Sequence, residues 1–222
     1  GEHPSRVFNV GALSIDSIKK LKLQNKIEFE KAINFKLGQK NILITFHPVT
    51  LDDQSSKVQF QIILNSLRKL INTKFIFTHA NSDKSGQIIN QMIEEFVEKD
   101  ITNAISFKSL GQLRYLSSLK YVDLVIGNSS SGLHEAPYFN IPTINIGDRQ
   151  KGRILSDSVI QIEPNEQDLT LAIEKSYSRS FREKIKSQKK IFGSGDTTKK
   201  IMDILNLERP KNLKKSFYDI QF

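Results

Sequence analysis

No cysteine occurs in the 222 residues, so neither a disulfide framework nor a thiolate metal site is available. Histidine is scarce, at four residues, and none stands at ligand spacing such as HExxH. A metal centre is not expected. No apolar run approaches the roughly twenty residues that span a bilayer, and the opening GEHPSRVFNVG lacks the pattern of a secretory leader. The expectation is a cytoplasmic protein with no membrane partner. Two phosphate-binding fingerprints are also missing. The first predicted strand runs into FHPVTLDDQ rather than GxGxxG, and GxxxxGK[ST] occurs nowhere.

The remaining composition suits one α/β domain with material left at its ends: hydrophobic residues make up 38% of the chain. The formal charge is +9, and much of it is local. From Arg179 to Lys200 eight basic residues stand against two acidic ones, a net of +6. That stretch carries few aromatics for stacking and no nucleic-acid motif, so it reads as a solvated helix face and no nucleic-acid partner is expected.

Short β-rich runs alternate with longer helical ones, the pattern of a parallel sheet covered on both faces. Strands are expected over 41–47, 74–79, 101–107, 123–127, 142–146 and 159–162. Helices are expected over 55–71, 87–99, 111–119, 131–139, 166–178, 181–191 and 197–207. The fold class is therefore α/β, a three-layer Rossmann-like doubly wound parallel sheet. Residues 1–16 hold a strand-like piece, Arg6 to Val10, with no helix to complete a βαβ unit, and read as the remnant of another domain. Residues 17–207 form the main domain, and 208–222 a basic, turn-like tail.

In an open parallel sheet, ligands bind where the strands end. Past the first strand stand His47, Pro48 and Thr50; past the second, His79, Asn81, Ser82 and Asp83. Past the fourth lies NSSSG, residues 128–132, and past the fifth Gly147, Asp148 and Arg149. Short side chains at Ser129, Ser130, Ser131 and Gly132 let backbone N–H groups approach an anion, and hydroxyls add donors. Arg149 and Arg153 bring permanently charged, planar forks to the next strand end, where a diphosphate would be neutralised. Glu135 either accepts hydrogen bonds from ribose hydroxyls or complements the helix dipole. Tyr115 either stacks on a base or packs against the sheet. Gly193 and Gly195 in FGSGDTTKK read equally as a helix-entry turn or as a second surface near the ligand.

The stretches ITFHPVT, THANSD, SLGQLRYLSSLKYVDLVIGNSSSGLHEAP, PTINIGDRQKGR and FGSGDTTKKI closely resemble the C-terminal half of the UDP-N-acetylglucosamine 2-epimerases. The likeness is in particular to the hydrolysing enzymes of sialic and legionaminic acid biosynthesis, and it extends from about Arg6 to Leu207. The resemblance implies a GT-B fold of which this chain supplies the nucleotide-binding half. It also implies splitting of UDP-GlcNAc into N-acetylmannosamine and UDP, with no metal or other cofactor required by that scheme. By position it places His47 at the diphosphate, Ser129 and Ser130 on the phosphates, and Glu135 on the ribose. Arg149 falls on the closing turn, Tyr115 under the uracil and Asn81 near the sugar. The residues that act on the sugar belong, in the family, to the N-terminal domain, so no catalytic base is assigned. A diacetamido-trideoxy sugar such as diacetylbacillosamine is an equally open substrate. A homo-oligomer is in keeping with the family. Two rival readings are a GT-B glycosyltransferase domain and a non-catalytic UDP-sugar-binding module; the NSSSGxxE and GDRQKGR pair fits the epimerase pattern better.

Overall fold

A computed structural model describes residues 1–49, 56–207 and 217–219. The chain divides into two compact units, Lys22–Lys190 and Gly1–Leu21 with Ile191–Phe222. In chain order the helices are α1 (Leu13–Lys20), α2 (Lys26–Ile33), α3 (Ser56–Arg68), α4 (Lys84–Lys99), α5 (Gly111–Ser118), α6 (Ser131–His134), α7 (Glu166–Tyr177), α8 (Arg179–Lys186) and α9 (Thr197–Leu207). The strands are β1 (Lys40–Thr45), β2 (Thr73–Thr78), β3 (Ala104–Phe107), β4 (Leu124–Gly127), β5 (Thr143–Ile146) and β6 (Val159–Ile162).

All six strands belong to the larger unit and pair in parallel in the order β3-β2-β1-β4-β5-β6. This order reverses between β1 and β4, and the reversal opens a crevice at their C-terminal ends. Central strands lose water on both faces: every residue of β4 and every residue of β1 but Lys40 is buried, and apolar side chains fill Ile42 to Ile44 and Leu124 to Ile126. Pleating sends alternate residues to opposite faces. Ile42, Ile44, Phe75, Phe77, Leu124 and Ile126 join a core with α3, α4 and α7. Leu43, Ile76 and Val125, equally buried, face the other side. On that side α6 lies so close to β5 that a Cβ at Gly132 would come within 2.8 Å of Thr143 Cγ2. The architecture is the α/β, doubly wound, Rossmann-like sheet expected from the sequence.

Helix starts follow capping chemistry. Asp83 accepts from the Gly86 N–H at 2.7 Å to start α4, and Asn165 accepts from the Asp168 N–H at 2.8 Å to start α7. Asn25 and Glu28 form a reciprocal capping box at α2.

Several expected boundaries move. Strand β3 begins at Ala104 because Asp100 accepts the Asn103 and Ala104 N–H groups and closes a turn over 100–103. The helix expected over 131–139 is one α-helical turn followed by a 3-10 turn, Ala136–Phe139. Pro137 has no N–H to continue the ladder, and Asn140 ends it in a left-handed conformation at φ 55°. The smaller unit corrects the strand-like reading of Arg6 to Val10. Arg6 to Val10 joins no sheet, and helix α1 follows it. The first residue of the helix expected from Ser55, the strand-end residue Thr50, and 208–216 with 220–222 of the tail lie outside the described residues.

Candidate functional site

The site is built around Asn128. Just before it, Gly127 has φ 143°, and a Cβ there would stand 1.9 Å from the Thr45 carbonyl oxygen. Only glycine lets β4 run this close to the end of β1. Asn128 is fully buried and donates its own N–H to Thr45 O at 3.1 Å. Its side-chain Oδ1 accepts from the His47 N–H at 2.8 Å, while Nδ2 donates to His47 O at 2.7 Å. Both backbone groups of His47 are thereby held by one side chain. The Asn128 carbonyl in turn accepts from Arg149 Nη1 at 3.0 Å and from Gln150 Nε2 at 2.7 Å. The ends of β1, β4 and β5 are tied at a single residue.

From that residue the chain enters the serine turn. Ser129 O accepts from the Gly132 N–H, and Ser130 O accepts from those of Leu133 and His134. The N–H groups of Ser129 and Ser130 meet no acceptor among the described residues. Such unpaired donors, with a guanidinium beside them, suit an anion.

Electrostatics are consistent with an anion seat. Burial pushes the His47 imidazole below its ordinary range, and the nearby Arg149 charge pushes it further, with Asp83 opposing. Its Nδ1 is buried without a partner among the described residues. A second histidine, His134, is likewise depressed, first by burial and then by Arg153. An arriving anion would relieve the repulsion at both pairs.

Tyr115 and Glu135 meet through Ser131. The Ser131 hydroxyl bonds the Tyr115 hydroxyl at 2.5 Å and lies close enough to Glu135 to favour its charged form. Burial outweighs that help and raises the Glu135 carboxyl, whose Oε2 has no donor among the described residues. Burial also raises the Tyr115 phenol. Asn81 stands apart: its side chain makes no hydrogen bond among the described residues, and it is exposed past β2. Its carbonyl lies against Gly86, where a Cβ would come within 1.7 Å.

The structure thus gathers His47, Ser129, Ser130 and Arg149 about Asn128, and Tyr115 with Glu135 about Ser131. Gln150 was not among the residues picked from sequence. Nothing local marks it, since a glutamine inside a charged turn reads as exposed, yet it is only 4% exposed. Beside this turn lies a cavity of about 320 Å³ whose walls include Asp148, Gln150, Lys151, Arg153 and Gln161.

The glycine-rich FGSGD segment resolves differently. In the smaller unit, the Asp16 carboxylate accepts from the Thr197 N–H at 3.0 Å, the Thr198 N–H at 2.8 Å and the Thr198 hydroxyl at 2.6 Å. The start of α9 is already capped, which favours the helix-entry alternative. The basic run on and around α8 is largely engaged: Arg179 pairs with Glu183, Lys184 with Asp157 and Lys200 with Asp196. Arg182 donates to the carbonyls of Ser176 and Asp123. Among the described residues no helix is long and apolar enough to cross a membrane.

Comparison with known proteins agrees with this architecture. A GDP/UDP-N,N'-diacetylbacillosamine 2-epimerase (hydrolyzing) of Campylobacter jejuni is 42% identical over 183 residues, covering 82% of this chain and 47% of that protein. A UDP-N,N'-diacetylbacillosamine 2-epimerase (hydrolyzing) of Legionella pneumophila is 30% identical over 205 residues, covering 92% and 52%. This chain spans about half the length of these curated relatives. Among solved structures, UDP-GlcNAc 2-epimerase from Neisseria meningitidis bound to UDP-GlcNAc superposes with a TM-score of 0.74 at 18% identity, covering 93% of this chain and 57% of that one. Residues 1–206 match the profile of the UDP-N-acetylglucosamine 2-epimerases, and the chain belongs to that family.

Proposed function

We propose that this chain is the UDP-binding half of a hydrolysing UDP-sugar 2-epimerase, which converts UDP-GlcNAc to N-acetylmannosamine and UDP. The observation that carries the reading is the tie at Asn128. It sets the unpaired N–H groups of Ser129 and Ser130 beside Arg149 and His47 at the reversal of strand order. In this reading the diphosphate sits on the serine turn, with Arg149 closing over it. Glu135 takes the ribose hydroxyls, Tyr115 borders the uracil, and Asn81 lies towards the sugar. The larger unit, residues 22–190, forms the nucleotide half of a GT-B enzyme; the sequence alone drew its limits at 17 and 207.

A base removes the proton on sugar carbon 2 while the bond from carbon 1 to UDP breaks, which leaves a double bond between the two carbons. Water then returns a hydroxyl to carbon 1 and a proton to the opposite face of carbon 2. That carbon-bound proton is a poor acid, so stabilising the departing UDP must lower much of the barrier. Charge grows on the diphosphate as the bond breaks, and the serine N–H groups and Arg149 hold it more tightly then than before. The base comes from the other half of the family's length.

A second substrate is favoured by a specific observation. The relatives at 42% and 30% identity are both named for N,N'-diacetylbacillosamine. UDP-diacetylbacillosamine is therefore the alternative sugar nucleotide, with legionaminic rather than sialic acid downstream. A cytoplasmic site of action and assembly as a homo-oligomer accompany the reading. The test is release of UDP from each of the two sugar nucleotides, by this chain alone and by the chain joined to its N-terminal half. Turnover is expected only in the joined protein. Normal turnover by this chain alone would refute the assignment of the base to the other half, and transfer to an added acceptor would favour a glycosyltransferase.

A further inference from the structure

We propose that Gln150 is a positioning residue for the diphosphate: its side-chain amide holds the Asn128 carbonyl so that the following peptide N–H, that of Ser129, faces the anion. The inference rests on the nucleotide reading above and deepens it.

The geometry begins with the peptide bond. A trans peptide is planar, and its C=O and N–H point in opposite directions; no cis peptide occurs among the described residues. Whatever fixes the Asn128 carbonyl therefore fixes the Ser129 N–H. Two donors fix it, Gln150 Nε2 at 2.7 Å and Arg149 Nη1 at 3.0 Å. They lie on one side of the peptide, so the Ser129 N–H points away from them. There it finds no acceptor among the described residues.

The two donors are not equivalent. Arg149 is exposed, and its guanidinium is the group assigned to the diphosphate, so its hold on the carbonyl competes with its work on the ligand. Gln150 is buried and uncharged. It keeps the carbonyl pinned while Arg149 turns to the phosphates. Its amide orientation is dictated as well: reversing it would set Oε1 against the Asn128 oxygen. The cost is visible, since Gln150 Oε1 is buried with no donor among the described residues. A group that served packing alone would be better replaced by an apolar side chain of the same volume. Without the pin, the peptide is free to turn its carbonyl towards the phosphates and repel them.

The experiment titrates the isotopically labelled chain with UDP, inorganic pyrophosphate and uridine, following backbone amides by NMR. The proteins compared are the wild type, Gln150→Met and Gln150→Glu. Met keeps the volume and removes the donor; Glu keeps the shape and only accepts. In the wild type the Ser129 amide should shift on adding either phosphate ligand. In both variants the affinities for UDP and pyrophosphate should fall about 10- to 100-fold, the worth of one hydrogen bond to a charged group. Uridine should bind within about twofold of wild type, because its contacts do not use this peptide. Phosphate affinity retained in a folded variant, or uridine lost in step with UDP, would overturn the proposal. If neither variant folds, the wild-type titration decides: a Ser129 amide indifferent to pyrophosphate overturns it, and a clear shift sustains it. A wild type that binds no UDP at all instead refutes the nucleotide reading itself.

Discussion

Replacing Asn128 tests the joint on which the site is built. In Asn128→Ala the N–H and C=O of His47 both lose their partner, at 2.8 and 2.7 Å in the wild type. An unsatisfied buried group costs about 1–3 kcal/mol. His47 is only partly buried, so water relieves some of that, and the expected loss is about 2–4 kcal/mol for the two groups together. Asn128→Asp is the sharper variant. It keeps the acceptor for the His47 N–H but sets a carboxylate oxygen against the His47 carbonyl, and it places a negative charge beside the anion seat. Its stability should fall about as far as that of the alanine variant, and its affinity for UDP further. Urea unfolding followed by far-UV circular dichroism, at unchanged slope, reads the first quantity. Titration calorimetry with UDP reads the second. A loss below about 1 kcal/mol in both variants would refute the claim that this side chain holds β1 to β4. A destabilised variant that binds UDP as the wild type does would break the link between the tie and the ligand.

Asp16 has its carboxyl held at about 2 in the folded chain, against an ordinary 3.8, chiefly by the Thr198 hydroxyl and N–H. A depressed carboxyl contributes stability above its unfolded value that disappears as the pH falls through the folded one. The capping of α9 should therefore hold above about pH 4 and weaken towards pH 2. Amide exchange at Thr197 and Thr198 should show that acid dependence in the wild type and not in Asp16→Asn. Glu135 is opposite in sign: burial raises its carboxyl, so the fold loses stability as the pH rises from 4.5 through the folded value. Glu135→Gln should abolish that decline in urea titrations. The same variant should weaken UDP about tenfold and 2',3'-dideoxy-UDP hardly at all, the worth of one charged hydrogen bond. Equal losses for the two nucleotides would sever Glu135 from the ribose.

Most of the sheet was legible because apolar runs leave a plain signal, in the buried strands and in the half-buried edge strand β6 alike. The apolar runs at β1, β2 and β4 to β6 locate those strands within a residue or two. The errors have local physical causes. Val7, Phe8 and Val10 imitate a strand, but a strand exists only where a neighbour pairs with it. Helix α2 escaped notice although Asn25 and Glu28 carry its capping signal, because its eight residues bury little more than Phe29 and Ile33 in apolar side chains. In the site, small polar residues before a helix made the serine turn readable. Asn128 as a tie and Gln150 as a pin were not, since their bonds join residues 81 and 22 positions apart. Long-range hydrogen bonds of that kind leave no periodicity in the sequence.

Titration calorimetry of this chain with millimolar UDP, set beside an Arg149→Ala variant and a uridine control, puts the central claim to the most direct test. Saturable heat with UDP, weaker with uridine and much reduced in the variant, is the predicted result. No heat with UDP, or heat indifferent to Arg149, would contradict it.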